Sequence, residues 1–496
     1  MRIALLLVGS ILWAEDVVIV GARIADGTGA PLRAGNVRFR NDTIVQVGAF
    51  PPRKSDRVIN AQGLVLVPGF IDPHNHSDRG LAQEPAAVSQ VSQGITTVLL
   101  GQDGGSALPL EAWFAGHRKA PSALNVATLA GHATIRRRVM GDDFKRVAKP
   151  EEVSAMVVLL EQAMKDGALG LSSGLEYEVG SYADTAEMIT LAKTAARFGG
   201  IYVSHLRDEA DLTLASVAEL IRISEEAHLP AQISHVKLGS VAVWGKTPEL
   251  IRLVESARRR GLDITADCYP YDAWSSTITV LVPDKQYANP KSVARAIADA
   301  GGPENVTIRS CEAHRDYESL NLAQIALKTQ LSAVEVFMQI VRDGGAGVIG
   351  KTMQEADMRM LYQQPWVMVS SDGGIGMRHP RGAGTYPRVL GRFVREDHLL
   401  TLPQAIQKMT SLPAARLRMA DRGKIAVGMK ADLVLFNADK VIDRSTFQRP
   451  LELSSGIEKV WVNGQLVWNE GHATGAHPGV VLVRQRLAPK LQKQPK

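Results

Sequence analysis

PGFIDPHNHSD (68–78) runs from an apolar step, Pro68-Gly69-Phe70-Ile71, through Asp72 into the pair His74-Asn75-His76. On extended backbone the side chains of residues i and i+2 point the same way, so both imidazoles face one side. Two neutral imidazoles so placed can bind one ion. A strand that ends in such a pair is what a parallel barrel needs, because active sites gather just past the C-terminal strand ends. Working outward, the same placement recurs. Asp103 follows Ile95 to Leu100, His132 follows Leu124 to Ala130, and Glu176 follows Ala168 to Leu171. His205 follows Ile201 to Ser204, His235 follows Gln232 to Ser234, Tyr269 follows Ile264 to Ala266, and Asp372 follows Val367 to Ser371. Singly, His205 reads equally well as a surface residue, His132 and His235 as packed core histidines, and Glu176 as a strand-end ion pair. Repetition on successive strands is what those readings fail to explain.

Helical segments such as Glu151 to Met164, Thr185 to Arg197 and Leu212 to Ala227 separate several of these strands. Strands alternating with helices argue for parallel βαβ units. Such units across residues 66–420, with an insertion around 283–360, predict a (β/α)8 TIM barrel. The flanks have a different texture. Val37-Arg38-Phe39-Arg40, Asn41-Asp42 and Ile44 to Val47 read as a hairpin, and Ala431 to Phe436 and Val460 to Val467 read as strands near the other end. Residues 15–65 and 421–486 are therefore expected to build one small β-sandwich from both termini. Residues 1–14, a positive start followed by an apolar run to Trp13 and Ala14, read as a secretory signal, which predicts an exported, periplasmic or secreted protein. The alternative is a buried first strand in a cytoplasmic protein. The run falls short of the roughly 20 residues of a spanning helix, so stable membrane insertion is not expected. Residues 487–496 form a basic tail.

The chain has 496 residues, 45% of them hydrophobic and 22% charged, an ordinary globular balance that excludes a disordered chain. Lys plus Arg number 57 against 51 acidic residues, and aromatics are 5%. A nucleic-acid surface would concentrate basic residues and stacking rings, so no nucleic-acid partner is expected. Two cysteines, Cys268 and Cys311, exclude a four-cysteine zinc module and leave one bridge open. The oligomeric state, a homo-oligomer included, is not legible. An ionised Asp372 at the end of a buried strand is costly unless paired or coordinated. Carboxylates with imidazoles and no thiolate suit Zn²⁺, Mn²⁺, Co²⁺ or Fe²⁺.

The chain resembles the amidohydrolase superfamily, and within it the N-acyl-D-amino-acid deacylases (D-aminoacylases). Besides PGFIDPHNHSD, the resemblance rests on QGITTVLLG (93–101), GALGLSSGLEY (167–177), GGIYVSHLRDE (199–209) and QISHVKLGS (232–240). It continues through DCYPYDAWSST (267–277), SSDGG (370–374), HPRGAGTYPRVLGR (379–392) and GKIAVGMKADLVLF (423–436). One departure stands out. The family pattern carries a cysteine ligand in a segment like GNCG, and here that stretch is Gly101-Gln102-Asp103-Gly104. The superfamily's other solution is a carboxylate on the fourth strand shared by two ions. The resemblance therefore implies His74, His76 and Asp372 on one cation, His205 and His235 on another, and Glu176 shared, with Asp103 behind it. One or two Zn²⁺ ions are expected.

The activity so implied is hydrolysis of the amide bond of a small-molecule N-acyl-D-amino acid by a cation-activated water. Asp372 would be general base and acid, and His132 a second catalytic group. Arg381 matches the family's carboxylate-binding arginine, and Tyr269 and Ser275 match its partners by motif. Lys237 lies two residues past His235 on the same strand side, and Arg378 is a nearby alternative. A dipeptidase or cyclic-amide hydrolase with the same ions, and a non-catalytic binding relative, are the competing readings. The preference for D over L comes from the resemblance alone.

Overall fold

The computed structural model describes residues 15–484. The stretches read as a signal (1–14) and as a basic tail (487–496) therefore lie outside the described residues.

Eight strands run parallel around one axis. They are β1 (Phe70–Asp72), β2 (Ile95–Leu100), β3 (Asn125–Thr128, continued by Ala130–Gly131) and β4 (Gly170–Gly174). Then come β5 (Ile201–His205), β6 (Ala231–Ile233), β7 (Ile264–Cys268) and β8 (Val367–Val369). Each pairs in parallel with the next, β7 pairing β8 across the intervening insertion. The ring closes between β8 and β1, where Asp372 N donates to the His74 carbonyl (3.0 Å) and His76 N to that of Gly373 (2.7 Å). All eight strands are buried along their length, as strands covered on the outside by helices must be. Helices Pro150–Asp166, Thr185–Arg197, Thr213–Ala227 and Thr247–Arg259 supply that cover through Met156, Leu160, Leu191, Val217, Leu220 and Val254.

The termini join in a nine-stranded sheet. Val65–Pro68 lies between Val17–Ile24, its parallel neighbour, and Leu433–Phe436, its antiparallel one. Alternation splits the sheet's side chains. Leu66, Leu433 and Leu435 join Phe39 and Trp461 in a core of their own, while Val65, Val67, Val434 and Phe436 join the barrel core. The sheet is thus fixed to the barrel directly before β1, the strand that delivers the His-x-His pair.

A third layer follows β7. Antiparallel strands Trp274–Thr277, Val306–Ser310 and Gly347–Gly350 pack with helices Pro290–Asp299 and Ala333–Arg342 around Ile278, Val306, Val336, Phe337 and Ile340. It begins at Trp274, earlier than the expected start near 283, which places Ser275 at the barrel mouth. Cys268 and Cys311 are both free and buried, so no bridge links this layer to the barrel. No helix among the described residues is long and apolar enough to cross a membrane.

Candidate metal centre

His74 and His76 leave β1 on the same side, and their neighbour is Asp372 at the end of β8. Asp372 Oδ1 stands 3.6 Å from His74 Nε2 and 3.3 Å from His76 Nε2. Across the axis, His205 Nδ1 and His235 Nε2 lie 3.1 Å apart. Two ligand atoms on one tetrahedral ion, each about 2.05 Å from it, lie about 3.3 Å apart. Five of the six expected ligands thus converge.

The sixth, Glu176, does not join them. Its Oε2 lies 2.8 Å from His205 Nε2, the ring nitrogen opposite the one turned toward His235. The carboxylate that enters the cluster is Asp103. Its Oδ1 lies 3.5 Å from His74 Nε2 and 3.8 Å from His235 Nε2, and its Oδ2 lies 3.4 Å from His76 Nε2. The expected order of Glu176 and Asp103 is therefore inverted. The loop after β2 explains it. Gln102 Nε2 donates to the carbonyls of Pro73 (3.1 Å) and Leu99 (3.0 Å), stapling the loop to the His74 turn. Gly101, at φ +72°, would bring a Cβ to 2.5 Å from the Leu129 carbonyl oxygen, so only glycine lets the chain turn there.

Two further carboxylates position the rings, and sequence reasoning passed over both. Glu209, four residues beyond His205, is buried with Oε1 3.1 Å from His235 Nδ1 and Oε2 2.6 Å from Lys237 Nζ. Asp267 on β7 accepts from His235 N (2.9 Å), Ser370 Oγ (2.6 Å) and Gln232 Nε2 (2.6 Å), and its Oδ1 is 3.8 Å from His74 Nδ1. The signal for both was a carboxylate at a position otherwise read as buried strand or strand end.

Other expectations are corrected. His132 is fully buried, its Nε2 2.7 Å from Glu187, which also binds Arg136, and it lines neither lobe of the cavity described below. Arg378 is half exposed and pairs with Glu318 at 2.9 Å, also lining neither lobe. Lys237 reaches the site, but its ammonium is engaged by Glu209 and His235 Nδ1. Tyr269 lies beneath the Arg381 guanidinium, 4.7 Å from ring centroid to Cζ. Arg381 Nη1 stands 2.9 Å from Asp372 Oδ2, an ion pair without hydrogen-bond geometry, and its Nε and Nη1 have no hydrogen-bond partner although buried.

The electrostatics favour a cation. Burial pushes the Asp103 carboxyl up, but His74, His235 and His76 outweigh it and hold it well below the carboxylate range. Burial likewise pushes the Asp372 carboxyl up, but Arg381, His235, His76 and His74 outweigh it and hold it well below the carboxylate range. Burial would depress His76, yet Asp103 and Asp372 raise it to about 9. Burial and Lys237 depress His235, and Glu209, Asp372 and Asp103 raise it to about 10. Protons here stand in for positive charge that the carboxylates attract. His74 Nδ1 and Nε2, Asp103 Oδ1 and Glu209 Oε1 are buried without a hydrogen-bond partner. Buried polar atoms are seldom left so. Orphaned imidazole nitrogens facing carboxylate oxygens are a donor set that fits divalent cations.

The cluster opens into a cavity of two lobes that share Tyr177, Ser275, Ser276, Asp372 and Arg381. One is a narrow slot past His205 and His235, walled by Val280, Leu281 and Ala296. The other is a broad mouth of about 620 Å³ bordered by His76, Asp103, Thr134 and Arg309.

A parallel eight-stranded barrel with His and Asp ligands on its strand ends defines a metal-dependent hydrolase of the amidohydrolase class. Residues 57–468 match the Amidohydrolase family, and the chain belongs to that family. Its similarity is to the N-acyl-D-amino-acid deacylases within it. It is 35% identical to the N-acyl-D-glutamate deacylase of Alcaligenes xylosoxydans xylosoxydans over 95% of this chain and 96% of that protein. It is 34% identical to the D-aminoacylase of the same organism, over 95% and 98%. The crystal structure of N-acyl-D-glutamate deacylase from Bordetella bronchiseptica, complexed with zinc and a phosphonate mimic of the tetrahedral intermediate, superposes with a TM-score of 0.87. That pair is 33% identical, covering 95% of this chain and all of the other.

Proposed function

We propose that this protein hydrolyses the amide bond of N-acyl-D-amino acids, releasing a carboxylate and the free amino acid. The observation that carries the reading is the juxtaposition of a cation site with an unfilled guanidinium: Asp372 touches His74 and His76 through Oδ1 and Arg381 through Oδ2. A divalent cation held there supplies a Lewis acid and a water whose pKa falls from 15.7 to about 7.

The remaining work belongs to the chain. Arg381 presents the Nε–Nη2 edge of its guanidinium, Nε being buried and unpartnered, to the substrate α-carboxylate, and such an edge suits that planar group bidentately. Tyr269 under the guanidinium plane and the Ser275 carbonyl 3.4 Å from Nη2 hold it in place. Binding the carboxylate beside Asp372 brings the scissile carbonyl to the imidazole cluster. Asp372 Oδ1 accepts the proton of the attacking water and passes it to the departing nitrogen, so one carboxylate serves as base and then acid. His235, held by Lys237 at Nδ1 and by Asp267 at its backbone, keeps its Nε2 turned to the cluster. The relatives named above include deacylases of D-glutamate derivatives, which supports an N-acyl-D-amino acid as the substrate class.

The test is hydrolysis of matched N-acetyl-D- and N-acetyl-L-amino acids by the metal-loaded protein, with metal content measured on the same sample. Faster release from the D series supports the reading, and equal rates for both enantiomers refute it. Export is part of the same proposal. Recovery of mature protein beginning near Glu15 outside the cytoplasm, read by N-terminal sequencing, supports it, and an intact Met1 refutes it.

A further inference from the structure

We infer that Asp103 is the carboxylate shared by two cations, completing a donor set of nitrogen and oxygen alone, and that Glu176 is a positioning residue that touches neither. The inference rests on the cation-site reading of this cluster and not on the identity of the substrate.

Distances set the partition. His74, His76 and Asp372 form one group of mutually close ligand atoms, His74, Asp103 and His235 a second, and His205, His235 and Glu209 a third, in which Glu209 Oε1 faces the outer nitrogen Nδ1 of His235. Asp103 reaches both sides: Oδ2 faces His76 and Oδ1 faces His235. Glu176 faces only His205, and through Nε2. An imidazole whose Nδ1 is turned to the His235 side cannot offer Nε2 to the same ion. A hydrogen bond at the outer nitrogen is instead the usual means of fixing the tautomer and ring orientation of a histidine ligand. Tyr177, whose ring lies 4.5 Å from that of His205, supports the same orientation.

Backbone conformation is a second, independent observation. Asp103, His235 and Asp372 all adopt left-handed φ, at +55°, +31° and +42°. Non-glycine residues held there store strain, and such strain gathers at functional sites. Asp103 shares it with two expected ligands, and Glu176 does not. The chemistry follows. Imidazole and carboxylate without sulfur suit Zn²⁺, Mn²⁺, Co²⁺ and Fe²⁺, and soft thiolate-seeking ions lose their preferred donor. Neither cysteine supplies one, since Cys268 is buried in β7 with its thiol pushed up to about 12 by burial, and Cys311 belongs to the inserted layer.

The experiment loads chelator-stripped full-length protein with Co²⁺ and records its near-ultraviolet spectrum and stoichiometry. Native protein is expected to bind two equivalents without a sulfur-to-cobalt charge-transfer band. Asp103→Cys is expected to gain that band and Glu176→Cys to lack it. Asp103→Ala should lose at least one equivalent, while Glu176→Gln keeps both with affinity weakened about 10–100-fold. Asp103→Asn, close in size, serves if the alanine variant unfolds by circular dichroism, with the same loss expected. A band in Glu176→Cys, no band in folded Asp103→Cys, or two equivalents at native affinity in Asp103→Asn would each overturn the inference. Because every readout is spectroscopic or stoichiometric, it can hold while the deacylase reading fails, and the reverse.

Discussion

Replacing Arg381 with methionine removes the guanidinium and keeps most of the side-chain volume. A hydrogen bond to a charged group contributes about 1.5–3 kcal/mol, so a two-pronged pairing with the substrate carboxylate is worth roughly 3–6 kcal/mol. At about 1.4 kcal/mol per factor of ten, kcat/KM should fall by roughly 10²–10⁴. That drop alone would not identify the partner, because Arg381 also stands 2.9 Å from Asp372 and holds its carboxyl down against the pull of burial. The substrate must therefore be varied too. An N-acyl-D-amino-acid carboxamide lacks the anionic group, so the native protein should lose most of the same factor on it. Arg381→Met should lose little more on moving from acid to carboxamide. Damage that passes through Asp372 affects both substrates alike and cancels in the cycle of four rates, leaving a coupling of about 3 kcal/mol or more. A coupling near zero, with the variant equally poor on both substrates, would refute the clamp and leave Arg381 as a support for Asp372.

Glu209→Gln strands the Lys237 ammonium, which is buried 2.6 Å from its carboxylate partner. A broken buried pair typically costs about 3–5 kcal/mol, and adding Lys237→Met should recover much of it, as read by urea unfolding of the metal-free protein. At pH 7 the metal-free protein should carry protons on His76 and His235, raised to about 9 and about 10, so cation loading should release about two protons. Calorimetry in buffers of different ionisation enthalpy measures that number, and apparent affinity should climb from pH 7 toward pH 9. Lys408 donates from a buried site to the carbonyls of Gln364 and Val367, and burial lowers it to about 8 from 10.5. Its folded pKa is depressed, so the unfolded chain binds more protons between those values and stability should rise from pH 8 to 10.5. Lys408→Met should remove that rise, a difference of about 3 kcal/mol across the window.

Regular backbone made most of the centre legible. The His74-Asn75-His76 pair could be read because a strand fixes which way i and i+2 point, and His205 and His235 because their strands end at equivalent heights. The composite terminal sheet was legible from alternation at Val37 to Val47 and Ala431 to Phe436. What was not legible lies where the backbone leaves those regimes. Asp103 and Glu176 each follow a barrel strand, and nothing in residue type or spacing says which turns inward. That choice is made by left-handed φ at Asp103, by Gly101 pressed against the Leu129 carbonyl, and by the Gln102 staple, all of them tertiary facts. His132 also stands after a strand, but Glu187, 55 residues later, holds its Nε2. The resemblance compounded the difficulty, because a missing thiolate at 103 invited a replacement from another strand when the side chain at the same loop position could serve. A loop whose glycines, amide staple and strained φ are built to aim position 103 at the cluster constrains that position's direction more than its chemistry. An oxygen donor there is the economical substitution: it keeps the backbone device and changes only the hardness of the ligand.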